Sequence, residues 1–286
     1  GPVLMFVETN HGNQNLIRAF DRANTSRPFS NSLFYSIYKL LPNDTDLTIF
    51  RKNADVQGYN FAFIDDHFDY HTAQDNYERL DRNTLQHLAS YLMPALTYFA
   101  MADLNELSSE TDLVFFNFPG MGMISYPFSW VLPMCFLGLL ALISLIAWGM
   151  KKQVLSPWEM AFGFIPLLLV LSLIGLGSFY GWKLLLKIHP GYQEILQGFT
   201  YNGHLYVIGF VSFALWFTIW VYQKYIKKIT AVSLFFAPLA VWLLINFAIA
   251  SYLPGAGFFI VPFFTGIITA VNATFSAFCF NNSTTL

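Results

Sequence analysis

The sequence predicts a partial α/β domain followed by an all-α domain of about five membrane-spanning helices. Its 286 residues are 55% hydrophobic and only 11% charged, which is too apolar for a soluble globular protein. Residues 1–112 carry 8 Lys/Arg and 15 Asp/Glu, a net charge of −7, whereas residues 113–286 carry 7 and 2, a net charge of +5. Short strand and helix patterns alternate in the first part, and long apolar stretches follow in the second.

These patterns predict three regions along the chain. An α/β domain is expected over residues 1–107, a juxtamembrane linker over the aromatic and Gly-rich residues 108–128, and a transmembrane domain over residues 129–286. The chain begins at Gly1-Pro2 without an initiator Met, so we expect a piece of a larger protein, and no signal peptide is visible in it. Cys135 and Cys279 lie in apolar segments and are expected to be buried thiols rather than a disulfide.

Five elements are predicted in the first part. They are a strand over 3–7, a helix over 13–23, a helix over 32–41, a strand over 59–64 and a helix over 83–104. Pro42 ends the second helix, and Pro94 is expected to kink the third. The first predicted helix has Leu16, Ile17 and Phe20 on one face, and in the second Leu33, Ile37 and Leu40 or Leu41 recur at helical spacing. The third contains Leu85, Leu88, Tyr91, Leu92, Leu96 and Phe99. Two strands are fewer than a complete doubly wound domain needs, so we expect only part of an α/β layer.

The chemistry is expected where the second predicted strand ends. Residues from Gly58 to Ile64 form a short apolar run, and residues 65–75 are rich in Asp and His. Imidazole and carboxylate groups are ligands that zinc prefers, and the ends of strands commonly carry ligands at the mouth of an α/β sheet. Without further evidence, a single His in such a loop is more often structural than a metal ligand.

Three stretches of the sequence resemble the co-catalytic zinc aminopeptidase family. The similarity is greatest to its membrane-anchored branch, the vacuolar membrane proteases and endoplasmic reticulum metallopeptidases. The stretches are Leu41-Pro42-Asn43-Asp44-Thr45-Asp46 with Phe50 behind it, Gly58 through Ile64, and Tyr70-His71-Thr72 with Asp75. Asp46 and His71 are 25 positions apart, a separation that also resembles the family. The resemblance covers roughly residues 1–105 and implies the C-terminal part of a zinc peptidase domain.

The resemblance implies roles for four residues. His71 would be the last ligand of a two-zinc site, and Tyr70 would donate a hydrogen bond to the tetrahedral oxyanion. Asp75 would support the ligand or order its loop, and Asp46 would belong to a substrate-pocket loop. Soluble relatives have a His directly after this aspartate, where this chain has Leu47, so a substrate contact from that position is not carried over.

The activity implied by the resemblance is hydrolysis of N-terminal residues from peptides. Two zinc ions would acidify a bridging water, and an upstream Glu would accept its proton. The other ligands and this Glu would precede Gly1, so the sequence by itself is expected to be inactive. Glu8 is expected to be a strand-end carboxylate rather than a ligand. Peptide substrates and the lipid bilayer are the expected partners, and no nucleic acid is expected.

Several alternatives stay open at this point. Tyr70 could be a packing aromatic, and Asp75 could bond to its own loop backbone. The acidic residues 65–69 are expected to be a solvated loop, since a calcium site would need a different glycine and ligand spacing. The whole protein could instead be a non-catalytic membrane protein, a transporter or assembly factor, with a degenerate peptidase domain. A third possibility is acyl transfer on a peptide N-terminus, such as cyclisation, by the same metal scaffold.

Five apolar stretches of about 20 residues are predicted to cross the bilayer. They cover 129–149, 160–182, 204–222, 230–252 and 257–280 and contain no Asp, Glu, Lys or Arg. Lysines follow the first and third stretches, so the positive-inside rule puts these two loops in the cytoplasm. The first domain is then expected in the periplasm, outside the cell or in an organelle lumen. Spans without charge favour anchoring or scaffolding over transport.

Overall fold

The computed structural model describes residues 3–23, 25, 29–40, 44–63, 68–195 and 198–283. These residues form two compact units. One unit consists of residues 1–135 and 246–260, and the other of residues 136–245 and 261–286.

The described residues of the first unit include two two-stranded sheets and several helices. The strands are β1 (Val3–Glu8), β2 (Gly58–Phe63), β3 (Leu113–Phe118) and β4 (Gly122–Pro127). The helices are α1 (Gln14–Arg22), α2 (Ser32–Tyr38), α3 (Asp46–Ala54) and α4 (Arg82–Phe99), and 3₁₀ turns cover Leu104–Leu107 and Phe128–Trp130. The predicted α/β part is therefore confirmed and its five elements are present, but α2 ends at Tyr38 and α4 at Phe99, before the predicted residues 41 and 104. Leu41, Pro42 and Ile64 lie outside the described residues.

The core of this unit is built around β1, all six residues of which are buried. β1 pairs with β2 in an antiparallel register that runs from Val3↔Phe63 to Glu8↔Gly58. Apolar side chains from α1, α4 and β3 close over the strand, because their burial removes apolar surface from water. The buried cluster comprises Val3, Met5, Val7, Leu16, Ile17, Phe20, Tyr35, Tyr91, Leu113 and Phe115.

The edge of β1 away from β2 is satisfied by other parts of the chain. Met5 donates its backbone N–H to the Phe29 carbonyl at 3.2 Å, and Ser30 Oγ donates to the Met5 carbonyl at 2.6 Å. Tyr91 OH donates to the Val3 carbonyl at 3.2 Å and accepts from Phe29 N at 2.7 Å. Buried backbone groups need such partners, so the segment around Phe29 and helix α4 are held against the strand.

A β-hairpin occupies most of the segment predicted to be a linker. β3 and β4 pair antiparallel from Leu113↔Pro127 to Phe118↔Gly122, and Gly120 and Gly122 adopt positive φ in the turn. Leu113 to Phe115 are buried and join the core of the first unit. The sequence did not reveal this hairpin, because its aromatic and Gly-rich composition is also typical of a segment that lies at the membrane interface.

The apolar spacing predicted for the second helix does not mark a buried face, and the apolar residues of α4 are only partly buried. Ile37 in α2 and Leu40 after its end are 41% and 78% exposed, while Ser32 and Tyr35 are buried. Ser32 Oγ accepts from Phe115 N at 3.0 Å, so a hydroxyl group faces inward to satisfy the backbone of β3. In α4, Tyr91 is buried and Leu88 packs on the core. The predicted apolar residues that are exposed in α4 are Leu85, Leu92 and Leu96.

The rest of the chain forms long helices. They are α5 (Val131–Lys151), α6 (Pro157–Phe162), α7 (Phe164–Ile188), α8 (Gly203–Tyr225), α9 (Ala231–Tyr252) and α10 (Ile260–Ser283). Five stretches among the described residues are long and apolar enough to cross a membrane, with α6 and α7 forming one of them. The predicted all-α, multi-span part is therefore confirmed.

Some details of these helices differ from the sequence prediction. Cys135 is buried as expected, whereas Cys279 is exposed, and both thiols are free. The second stretch begins before the predicted residue 160 and includes Glu159. The Glu159 carboxylate accepts hydrogen bonds from Thr230 N at 3.1 Å and Thr230 Oγ1 at 2.6 Å, next to the first residue of α9. This acidic group caps the start of a helix, which is a favourable place for a negative charge.

Replacement of Tyr91 tests its role at the edge of β1. We expect Tyr91→Phe to lower the free energy of unfolding by about 1–3 kcal/mol, since the Val3 carbonyl and the Phe29 N–H lose a buried partner. Chemical denaturation followed by tyrosine and tryptophan fluorescence measures this change. Tyr77→Phe is the control, because Tyr77 is largely exposed, and equal stability losses in both variants would contradict the expectation.

Candidate functional site

The loop that carries Tyr70 and His71 is a series of tight turns after β2. The Asp69 carbonyl accepts from Thr72 N at 3.0 Å and from Thr72 Oγ1 at 2.7 Å. Asp69 also forms an ion pair with Arg79, with 2.7 Å between Oδ2 and Nε. The loop is thus ordered by its own residues, and Asp69 acts as a structural group. The neighbouring Asp65, Asp66 and His67 lie outside the described residues.

His71 and Tyr70 are both accessible at the surface of this loop. The Tyr70 side chain is 59% exposed, and its ring centroid is 3.9 Å from that of His71. His71 has a left-handed backbone with φ of 58°. Such a conformation is uncommon for residues other than Gly, and residues held in it cluster at functional sites. The imidazole and the phenol therefore lie next to each other and can both meet a ligand.

The other two predicted site residues occupy different elements. Asp75 lies later in the same loop, where its backbone N–H donates to the Thr72 carbonyl at 3.1 Å. Asp46 is the exposed first residue of α3, where a carboxylate interacts favourably with the helix dipole. Leu47 packs beside Gly58, so its side chain contributes to the contact between α3 and β2.

A two-zinc site needs several donor groups. No group of three His, Cys, Asp or Glu side chains is arranged to hold a metal in the part of the chain that the structure describes. His71 supplies one imidazole, which is fewer donors than a tetrahedral zinc ion uses. The described residues therefore do not form a zinc site by themselves.

The Glu8 carboxylate at the end of β1 accepts hydrogen bonds from several side chains. Only 3% of this residue is exposed. Its donors are Tyr38 OH at 2.8 Å, Thr45 Oγ1 at 3.1 Å, Thr48 Oγ1 at 3.0 Å, Arg51 Nε at 3.5 Å and Asn60 Nδ2 at 3.5 Å. The prediction of a strand-end carboxylate agrees with this arrangement, but the sequence did not reveal its partners, which come from three other elements.

These partners determine the ionisation of Glu8. Burial alone would raise the pKa of this carboxyl, but the hydrogen bonds from Tyr38, Thr48, Thr45 and Arg51 together hold the pKa below its usual value. Burial and the hydrogen bond to Glu8 raise the pKa of the Tyr38 phenol, which therefore stays protonated and donates. Glu8 is therefore ionised, and its negative charge accepts hydrogen bonds from neighbouring side chains of the same unit.

The described residues of the first unit border clefts of different sizes. One of about 420 Å³ opens beside the Glu8 cluster and is bordered by Glu8, Tyr38, Asp44 and Arg51. A larger cleft of about 740 Å³ lies between α1 and the end of α4, and none of the four predicted site residues lines it. None of the four predicted site residues lines the smaller cleft either, although Asp44 and Thr48, which lie on either side of Asp46 in the sequence, do.

Comparison with known proteins shows what the first part of the chain is similar to. Residues 1–96 match the model of Peptidase family M28. The predicted resemblance to this peptidase family is confirmed. In the described part of the chain, helices that are long and apolar enough to cross a membrane follow the matched segment.

Individual relatives are endoplasmic reticulum metallopeptidases. The chain is 30% identical over 132 residues to endoplasmic reticulum metallopeptidase 1 of Rattus norvegicus and 28% identical over 132 residues to that of Homo sapiens. Each of these matches covers 44% of this chain and 14% of the relative. A putative endoplasmic reticulum metallopeptidase 1-B of Caenorhabditis elegans is 33% identical over 91 residues, which is 31% of this chain and 10% of the relative. No solved structure gives a significant match.

The lowered pKa of Glu8 predicts an acid dependence of stability. Because the folded carboxyl has the lower pKa, its contribution is complete above the usual value of 4.5 and is lost as the pH falls through the folded pKa. Thermal unfolding of wild type and Glu8→Gln between about pH 7 and pH 3 measures it. The wild type should lose stability more steeply than the variant, with exposed Glu106→Gln as the control, and parallel curves for Glu8→Gln and wild type would contradict this.

Proposed function

We propose that this chain is part of a membrane-bound metallopeptidase of the aminopeptidase type. The observation that carries the proposal is the adjacent and accessible Tyr70–His71 pair inside the segment that matches Peptidase family M28. The names of the similar metallopeptidases point in the same direction.

In this proposal His71 is one ligand of a two-zinc centre. Zinc would supply an acidified water and would polarise the scissile carbonyl. The remaining ligands are proposed to come from residues other than the described ones, because these hold no group of three suitable donors. Tyr70 would donate a hydrogen bond to the substrate oxygen, and Asp75 would order the loop that presents His71. Asp46 would line the substrate pocket at the start of α3.

The proposed location is a membrane with the M28-type segment on its extracytoplasmic side, as in the lumen of an organelle. Lysines at the ends of the first and third stretches favour the cytoplasm for the loops that follow. The packing of the 3₁₀ turn Pro254–Phe259 supports the same topology, because it belongs to the first unit. Ser32 Oγ donates to the Gly255 carbonyl at 2.6 Å, and the rings of Phe116 and Phe258 are 5.3 Å apart. Four spans separate this turn from the hairpin, and an even number returns the chain to the same side.

Zinc content tests the proposed ligand. In the full-length protein in detergent we expect about two zinc ions per chain, and His71→Ala should lose at least one together with peptidase activity. Elemental analysis of the purified proteins measures the metal. His11→Ala is the matched control, because His11 pairs with Asp55 at 2.9 Å and has no proposed metal role.

Two results would count against the zinc proposal. Equal zinc content and activity in His71→Ala and wild type would remove His71 from the site. An absence of zinc from the wild type would favour the alternative of a non-catalytic membrane protein with a degenerate peptidase domain.

Cysteine labelling tests the topology. Gln153 is exposed between α5 and α6, and Tyr201 is exposed before α8, so Gln153→Cys and Tyr201→Cys should lie on opposite sides of the membrane. An impermeant maleimide added to sealed vesicles with their cytoplasmic side outward should label only Gln153→Cys, in a background with Cys135 and Cys279 replaced by Ser. Labelling of Tyr201→Cys under the same conditions would overturn the orientation.

A further inference from the structure

We infer that Glu8 is a positioning residue for the first turn of α3, the turn that carries the proposed substrate-pocket residue Asp46. This inference rests on the proposed function, because the pocket role of Asp46 is itself part of it. Glu8 acts through hydroxyl groups on both sides of Asp46, and it does so from a buried strand that is held by β2 and the core.

A single carboxylate oxygen holds both sides of the connection between α2 and α3. Oε1 accepts from Tyr38 OH at 2.8 Å and from Thr45 Oγ1 at 3.1 Å. Tyr38 is the last residue of α2, and Thr45 is the N-cap of α3. Asn60 Nδ2 of β2 also donates to Tyr38 OH, at 3.0 Å. The end of one helix and the start of the next are therefore fixed to the same strand.

The second oxygen determines how the first turn of α3 is capped. Oε2 accepts from Thr48 Oγ1 at 3.0 Å. Thr45 and Thr48 form a capping box, in which Thr48 N donates to Thr45 Oγ1 at 3.4 Å and Thr45 N donates to Thr48 Oγ1 at 3.2 Å. A hydroxyl has one proton, so two hydroxyls that donate to Glu8 keep their lone pairs for these backbone N–H groups. The carboxylate thus orients both side chains for capping.

An amide at position 8 cannot reproduce this arrangement. Glutamine has the same shape as glutamate, but it offers one acceptor oxygen and one NH₂ group, which would face hydroxyl protons. Hydrogen bonds to a charged acceptor are also stronger than those to a neutral one. Glu8→Gln therefore releases the first turn of α3 while it preserves the volume of the buried site.

The test compares variants of the full-length protein by two measurements. Hydrogen exchange of the amides in residues 44–52 reports local order and does not require activity. Hydrolysis of a chromogenic aminoacyl anilide gives KM and kcat. Glu8→Gln should speed exchange in this segment and raise KM about tenfold, with kcat changed by less than about twofold. Thr48→Val should act in the same direction, and Thr48→Ser, which keeps the hydroxyl, should resemble wild type.

Asp55→Asn is the matched control at the other end of the same helix. Asp55 is the left-handed C-cap of α3, and its carboxylate is bonded to Asn10 Nδ2 at 2.7 Å and His11 Nε2 at 2.9 Å. This variant should leave KM unchanged. Unchanged exchange in Glu8→Gln, equal acceleration across the whole first unit, or a loss of kcat with constant KM would each overturn the inference. An inactive wild type would defeat the proposed function instead, and the exchange data would still decide whether Glu8 orders α3.

Discussion

The complete burial of β1 is the constraint on which the first unit depends. A buried strand must find partners for its backbone on both edges, since unpaired polar groups away from water are costly. β2 supplies one edge, and the segment around Phe29 with Tyr91 of α4 supplies the other. The same strand ends in Glu8, so the element that organises the core also delivers a charge to the start of α3. The packing of the core and the position of the first turn of α3 therefore both depend on β1.

Buried hydroxyl and amide side chains hold several elements of the first unit together through hydrogen bonds to the backbone. Ser32 accepts from the backbone of β3, and Asn13 Oδ1 accepts from Leu113 N at 2.8 Å, so both side chains hold the hairpin against the core. Apolar periodicity cannot detect such residues, because they occupy inward positions with polar side chains. This is why the apolar spacing predicted for α2 does not mark its buried face, while Leu16, Ile17 and Phe20 of α1 are buried on one face as predicted.

The first unit includes a piece of the membrane helices. The turn Pro254–Phe259 contacts Ser32 and Phe116, and a Cβ at Gly255 would lie 2.5 Å from the Ser32 carbonyl oxygen. A Cβ at Gly257 would lie 2.6 Å from Val131 Cγ2. Both glycines are required by this close approach. A division of the chain into a peptidase segment, a linker and an anchor remains a prediction, but the unit formed by residues 1–135 and 246–260 connects elements on both sides of that division.

The sequence by itself determined the two-part organisation, because composition and hydropathy report burial in water or lipid averaged over many residues. It also indicated the resemblance to a zinc peptidase family, through the stretches around Asp46, Gly58 and His71, and residues 1–96 match the model of Peptidase family M28. The tertiary structure alone decided that residues 113–127 form a hairpin and that Glu8 joins α2, α3 and β2. Those features depend on contacts between residues far apart in the chain, and a local pattern carries no information about which distant hydroxyl or backbone group will be the partner. The roles of Tyr70, His71, Asp75 and Asp46 remain proposals, because a metal site is defined by how its donors converge in space.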